Sequence, residues 1–170
     1  MRIVLVRHGE PNRGTGDKRL EDYGLTDVGR AQVESLSQRL TFPIDEVLTS
    51  SLPRAIETAG IIAKNLGYDT PAVIDELCEI GERNGFVPEP LESFLNRVRE
   101  TMNILASRDR LQTALVVTHA GFIMGSIRAL FDIPTPGTGA RLEPNFTSLT
   151  EWHKHEEIWE LSYYNLHVAS

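Results

Sequence analysis

Met1-Arg2-Ile3-Val4-Leu5-Val6-Arg7-His8-Gly9-Glu10 opens the chain with a short apolar run that stops abruptly at charge. Ile3-Val4-Leu5-Val6 is continuous rather than alternating and rich in β-branched side chains, the pattern of a strand buried on both faces. A strand of that kind needs helices above and below it. The run is also shorter than the roughly 7–15 residues of a signal-peptide core or the roughly 20 of a membrane helix. No longer apolar stretch occurs elsewhere in the sequence, so a soluble, cytoplasmic protein is expected.

Similar runs recur along the chain. Val47-Leu48-Thr49, Val73-Ile74 and Ala114-Leu115-Val116-Val117 read as further strands. Helical patterns lie between them. Val28, Ala31, Leu36 and Leu40 follow a Thr26 cap, and Pro53 to Gly67 has a helix-starting proline and a helix-ending glycine. Leu91, Phe94, Leu95, Val98, Met102 and Leu105 form the clearest amphipathic stripe, read as core packing. A last helix runs from near Gly121 through Phe131, and Pro134 to Gly139 is a loop. The tail reads as a hairpin, with Trp159, Leu161 and Tyr163 on one face and a turn near His153. The alternation predicts one domain over 1–170, a three-layer α/β/α sandwich around a mostly parallel, doubly wound sheet.

Composition limits the partners. The 170 residues carry 17 Lys+Arg against 24 Asp+Glu, a net charge of −7. No global field draws in nucleic acid or an anionic membrane, so any phosphate site must be local. The single cysteine, Cys78, cannot form an internal disulfide and reads as a small strand filler. The Asn145-Phe146-Thr147 sequon is read as idle. His153-x-His155 is read as part of an exposed turn rather than a metal site.

Ligands of such sheets sit beyond the carboxyl ends of the strands. Three strand exits carry unusual polar residues: Arg7-His8-Gly9, Ser50 to Arg54, and Thr118-His119-Ala120-Gly121. Two histidines and two arginines at one crevice of an acidic protein make a cationic hole suited to a phosphoryl dianion. Helices starting near Pro53 and Gly121 would add oriented N–H groups. Rival phosphate chemistries are missing from the sequence. No Gly precedes Lys as a Walker loop requires, no Asp-x-Asp pair occurs, and six residues after Cys78 stands Asn84 rather than Arg. Histidine is left as the candidate nucleophile.

Five ordered blocks carry a resemblance. Leu5-Val6-Arg7-His8-Gly9-Glu10, Leu25 to Gln32, Thr49 to Ala55 with Thr58-Ala59, Leu77-Cys78-Glu79, and Val117 to Gly121 are joined by the tail Asn165-Leu166-His167. The chain resembles the histidine phosphatase superfamily, the phosphoglycerate mutase-like group, over nearly its whole length. The resemblance implies that His8 takes the phosphoryl group. Arg7, Arg54 and His119 would bind its oxygens, and Glu79 would protonate the leaving oxygen and later activate water. It implies no metal or other cofactor, since the cationic pocket supplies the charge. Glu76 and Glu82 stand near Glu79 as alternative carboxylates. Asn12, Gly121 and Arg83 are further candidates for phosphate or substrate contact.

Two departures bear on substrate. The family's asparagine follows the nucleophile by six residues, whereas Asn12 follows by four, and Gly81-Glu82-Arg83-Asn84-Gly85 lacks the aromatic residue common there. A small lid within about 80–112 favours hydrolysis over transfer. The expected function is a metal-independent phosphomonoesterase acting on a small phosphorylated substrate. A mutase-type phosphotransferase and a low-activity phospho-ligand binding module are the alternatives.

Overall fold

The computed structural model describes residues 1–14, 24–83, 87–108, 112–134 and 142–167. Its centre is β1 (Arg2–Arg7), paired in parallel with β4 (Thr113–Thr118) and antiparallel with β5 (Leu149–His155). With β2 (Glu46–Thr49), β3 (Ala72–Val73) and β6 (Ile158–Leu166), the sheet order is β3-β2-β4-β1-β5-β6. Among these strands β5 alone runs against the rest, as the parallel and antiparallel pairings require.

The apolar run of β1 is divided between the two faces. Ile3 and Leu5 pack with α3 (Leu91–Ala106) and α4 (Ala120–Leu130) through Phe94, Val98, Met102, Phe122 and Ile123. Val4 and Val6 pack with α1 (Asp27–Ser37) and α2 (Pro53–Leu66) through Val33, Leu36, Ala59 and Ile62. All four strand residues are fully buried, a contribution of about 1.5–3 kcal/mol each. That is the expected three-layer fold.

Local signals set the helix ends. The Thr26 hydroxyl accepts the Gly29 N–H at 2.9 Å, capping α1. Pro53 begins α2, and Gly67, in the left-handed region at φ 74°, ends it. The inward face of α1 differs from the expected one. Gly29, Val33 and Leu36 face the core, while Val28 is 57% exposed and Ala31 is also exposed. The cause is a close approach: a Cβ on Gly29 would lie 2.3 Å from the Glu10 carbonyl oxygen, so only glycine lets this turn lie against the loop after β1.

The tail is a hairpin, but its turn lies at Glu156-Glu157 rather than near His153. His153 and His155 stand on one face of β5 with their rings stacked 5.8 Å apart, and His153 Nε2 lies 2.7 Å from Glu151 Oε1. Register shifts between β5 and β6 flip the face after Leu161. Tyr164 therefore packs against the core, and Tyr163 is 52% exposed. Cys78 is buried, yet it follows a 3-10 turn at Asp75–Leu77 instead of filling a strand. The expected loop lies mostly at 135–139, outside the described residues, as do Asn84 and Gly85.

Strand register places the site. Arg7 pairs with Thr118 and Thr49 with Val117, so the exits of β1, β4 and β2 stand side by side. The His8 N–H donates to the Thr118 carbonyl at 3.1 Å, and the Ser50 N–H to the Val117 carbonyl at 3.0 Å.

Candidate active site

His8 sits at the first step beyond β1, only 3% exposed. Its Nδ1 lies 2.7 Å from the Gly9 carbonyl oxygen, an atom that only accepts, so Nδ1 carries the proton. Nε2 then holds a lone pair, and Arg54 Nε–H donates to it at 3.0 Å. Burial, and next the Arg54 charge, hold the imidazole well below the usual histidine range. A neutral ring with a directed lone pair is the state a nucleophile requires.

Arg54 comes from the first turn of α2 and is fully buried. Its second nitrogen donates to Glu82 Oε2 at 2.8 Å. Glu82 also lies 3.5 Å from Arg13, linking a second guanidinium to the crevice. Arg7 stacks over Phe146 at 4.1 Å, donates to the Pro144 carbonyl and lies 3.5 Å from Glu143. Its Nε is buried without a hydrogen-bond partner among the described residues.

His119 caps the start of α4 and is completely buried, its ring 5.1 Å from that of His8. Nε2 meets Ser50 Oγ at 2.7 Å, while Nδ1 is unpartnered among the described residues. Burial, then the charge of Arg54, keeps this histidine neutral far below its ordinary value.

Glu79 is held by two backbone donors. The Ile80 N–H bonds Oε1 and the Gly121 N–H bonds Oε2, each at 2.9 Å. Burial raises the carboxyl above the ordinary glutamate value, the two N–H groups oppose the rise, and the Glu82 charge adds to it. Such a carboxyl holds a proton more readily than an ordinary glutamate, as a general acid must. The segment is anchored from beneath by Arg97 of α3. Its guanidinium donates to the Glu76 and Cys78 carbonyls at 2.6 and 3.0 Å and holds Glu89 by two further bonds.

His8, Arg7, Arg54, His119 and Glu79 thus surround one crevice. Three other expected contacts stand differently. The Gly121 N–H, expected to face phosphate, is committed to Glu79. Arg83 is ion-paired with Glu76 at 2.7 Å, both partly exposed. Asn12 is exposed, its carboxamide oxygen accepting the Gly14 N–H. Glu82, read above as a rival acid, is instead the ion-pair partner of Arg54. Arg13 and Arg97 carry no motif, Ser50 is legible only as the start of a polar strand exit, and Phe146 only as the middle of a sequon read as idle.

The family model of the histidine phosphatase superfamily (branch 1) matches residues 3–85 and 82–167. The chain is 40% identical over 77 residues to the mitochondrial serine/threonine-protein phosphatase Pgam5 of Drosophila ananassae, covering 43% of this chain and 26% of that protein. It is 27% identical to phosphoglycerate mutase-like protein 4 of Arabidopsis thaliana, covering 79% of this chain and 71% of that one. Among solved structures it superposes on a phosphoserine phosphatase of Entamoeba histolytica with TM-score 0.78 and 20% identity, covering 98% of each chain. Bacillus stearothermophilus YhfR gives 0.77 and 22%, covering 96% of each. At such identities the structures establish a shared fold.

Proposed function

We propose, from the premise that this chain belongs to the histidine phosphatase superfamily, that it hydrolyses phosphate monoesters through a phosphohistidine at His8. One observation carries the reading: His8 Nε2 keeps its lone pair, aligned by the Arg54 Nε–H at 3.0 Å, within a buried cationic crevice.

In the first step the Arg54 Nε–H hydrogen bond passes from Nε2 to an incoming phosphoryl oxygen, the freed Nε2 lone pair attacks phosphorus, the bond to the ester oxygen breaks, and protonated Glu79 gives its proton to the departing alkoxide. Arg7, Arg54 and the unpartnered Nδ1 of His119, in its N–H tautomer, stabilise the phosphoryl oxygens. In the second step water attacks phosphorus, Glu79 takes its proton, and the N–P bond breaks. Inorganic phosphate leaves, and His8 and Glu79 return to their starting states. The guanidinium groups supply the charge stabilisation a divalent metal provides in other phosphatases, so turnover is metal-independent. Much of the stretch expected to hold a lid is α3, packed into the core, and the short length of chain between Glu79 and α3 favours hydrolysis over transfer.

Brief incubation with ³²P-labelled substrate tests this. The expected product is an acid-labile, base-stable phosphoprotein that His8→Ala abolishes. Label that survives in His8→Ala refutes the nucleophile, and transfer of label to a second alcohol in place of water replaces hydrolase with transferase.

A further inference from the structure

Behind Glu79 the crevice borders an apolar groove that the phosphate-handling residues leave unused. A cavity of about 450 Å³ lies between α3 and α4, within the size range of small-molecule sites. Ile80 and Gly121, whose N–H groups hold the two oxygens of Glu79, both line it. The acid therefore stands at one end of the cavity. From Gly121 the wall follows one face of α4 through Met124 to Arg128, seven residues or ~10 Å along the axis. Leu91 and Leu95 of α3 line it as well.

Arg128 closes the far end. It is half-buried, and among the described residues its guanidinium has no acidic partner. A cation partly withdrawn from water beside an apolar wall is under-compensated, and a carboxylate can satisfy it through paired N–H···O bonds. The groove thus has an acid at one end, apolar sides and, at the other, a cation without an acidic partner among the described residues.

Resting on the phosphatase reading above, we propose that this groove seats the leaving group. The substrate class is then the phosphate monoester of an extended apolar alcohol bearing a carboxylate near its far end. Glu79 protonates the ester oxygen, the hydrocarbon lies along Leu91, Leu95 and Met124, and Arg128 binds the carboxylate.

The test compares ethyl, butyl and octyl phosphate with their ω-carboxylated counterparts, using the full chain and its Met124→Trp and Arg128→Gln variants. In the unsubstituted chain kcat/KM is expected to rise by up to about fourfold per methylene. A terminal carboxylate adds about tenfold to the octyl ester. Met124→Trp, which fills the groove, removes the length dependence, and Arg128→Gln removes only the carboxylate gain. Ethyl phosphate turnover stays unchanged in both. A flat length profile, or one that neither variant moves, overturns the proposal. Calorimetric binding of free decanoate separates the two readings. If it binds and both variants weaken it while no ester is hydrolysed, the groove stands and the hydrolase reading falls. If esters are hydrolysed but decanoate does not bind, the groove assignment falls alone.

Discussion

A β-carbon placed on Gly121 would lie 1.8 Å from Glu79 Oε1. The carboxylate of the candidate acid therefore occupies space that any other residue at the start of α4 would fill, and the Gly121 N–H grips its second oxygen. The acid is keyed to a helix more than forty residues away in sequence as well as to its own short segment.

Gly121→Ala is accordingly expected to displace Glu79 and slow alkyl phosphate hydrolysis by about 10²-fold, the low end of a lost general acid. The burst from p-nitrophenyl phosphate, whose leaving group departs without a proton, should change little. Gly60→Ala in α2 is the matched control. Nothing lies within 4 Å of its new Cβ, so stability should rise by about 0.5–1 kcal/mol with kinetics unaltered. Equal defects on both substrates would assign Gly121 a purely structural role.

Arg54 bonds His8 and Glu82 through different nitrogens of one rigid fork. A lysine ammonium cannot reproduce that geometry. Arg54→Lys should lower kcat/KM by about 10²–10³-fold while the circular dichroism spectrum is retained. Activity within threefold of the parent would mean that charge alone suffices.

Glu82 competes with a phosphoryl group for the same guanidinium. Glu82→Gln should tighten competitive inhibition by inorganic phosphate by about tenfold, or about 1.4 kcal/mol. It should also move the alkaline limb of alkyl phosphate hydrolysis to lower pH, because the Glu82 charge helps hold the Glu79 carboxyl up. Weaker phosphate inhibition would make Glu82 an orienting partner of Arg54 instead.

His8 and His119 both titrate well below 6.5 in the fold. Under mildly acidic conditions the unfolded chain therefore binds more protons than the folded one. Stability should fall as pH drops below about 6.5, by up to about 1.4 kcal/mol per unit for each histidine. Glu79 acts in the opposite sense, its raised carboxyl losing stability as pH rises through the window above 4.5. Urea midpoints between pH 7 and 5 for the parent and His119→Asn isolate one histidine. The variant should show the shallower slope, and identical slopes would contradict the burial account.

Arg97 is 7% exposed and supports the Glu79 segment through two carbonyls while pairing with Glu89. Arg97→Met should cost about 3–5 kcal/mol in urea unfolding by stranding those partners. Adding Glu89→Leu should recover part of the loss. A cost below 1 kcal/mol would show that the pair is solvated.

The three strand exits were legible because each follows a short apolar run, and adjacent parallel strands must end together. Thr26, Pro53 and Gly67 marked helix ends through chemistry local to each residue. What periodicity missed depends on distant contacts. Val28 looks core-facing until the Gly29 turn is pressed against Glu10. Tyr163 alternates correctly until the strand register shifts. Within the crevice, the Arg54–Glu82 pair and the Arg7–Phe146 stack join a helix and a strand to residues distant in sequence, which no spacing rule relates.

The register that sets Arg7 beside Thr118 also has a consequence during synthesis. On the ribosome His119 follows His8 by more than a hundred residues. At about 5–20 residues per second the nascent chain waits roughly 6–20 s before β4 can pair with β1. Throughout that interval the imidazole of His8 lacks both His119 and the Thr118 carbonyl that the His8 N–H bonds, so the crevice assembles only once β4 has emerged.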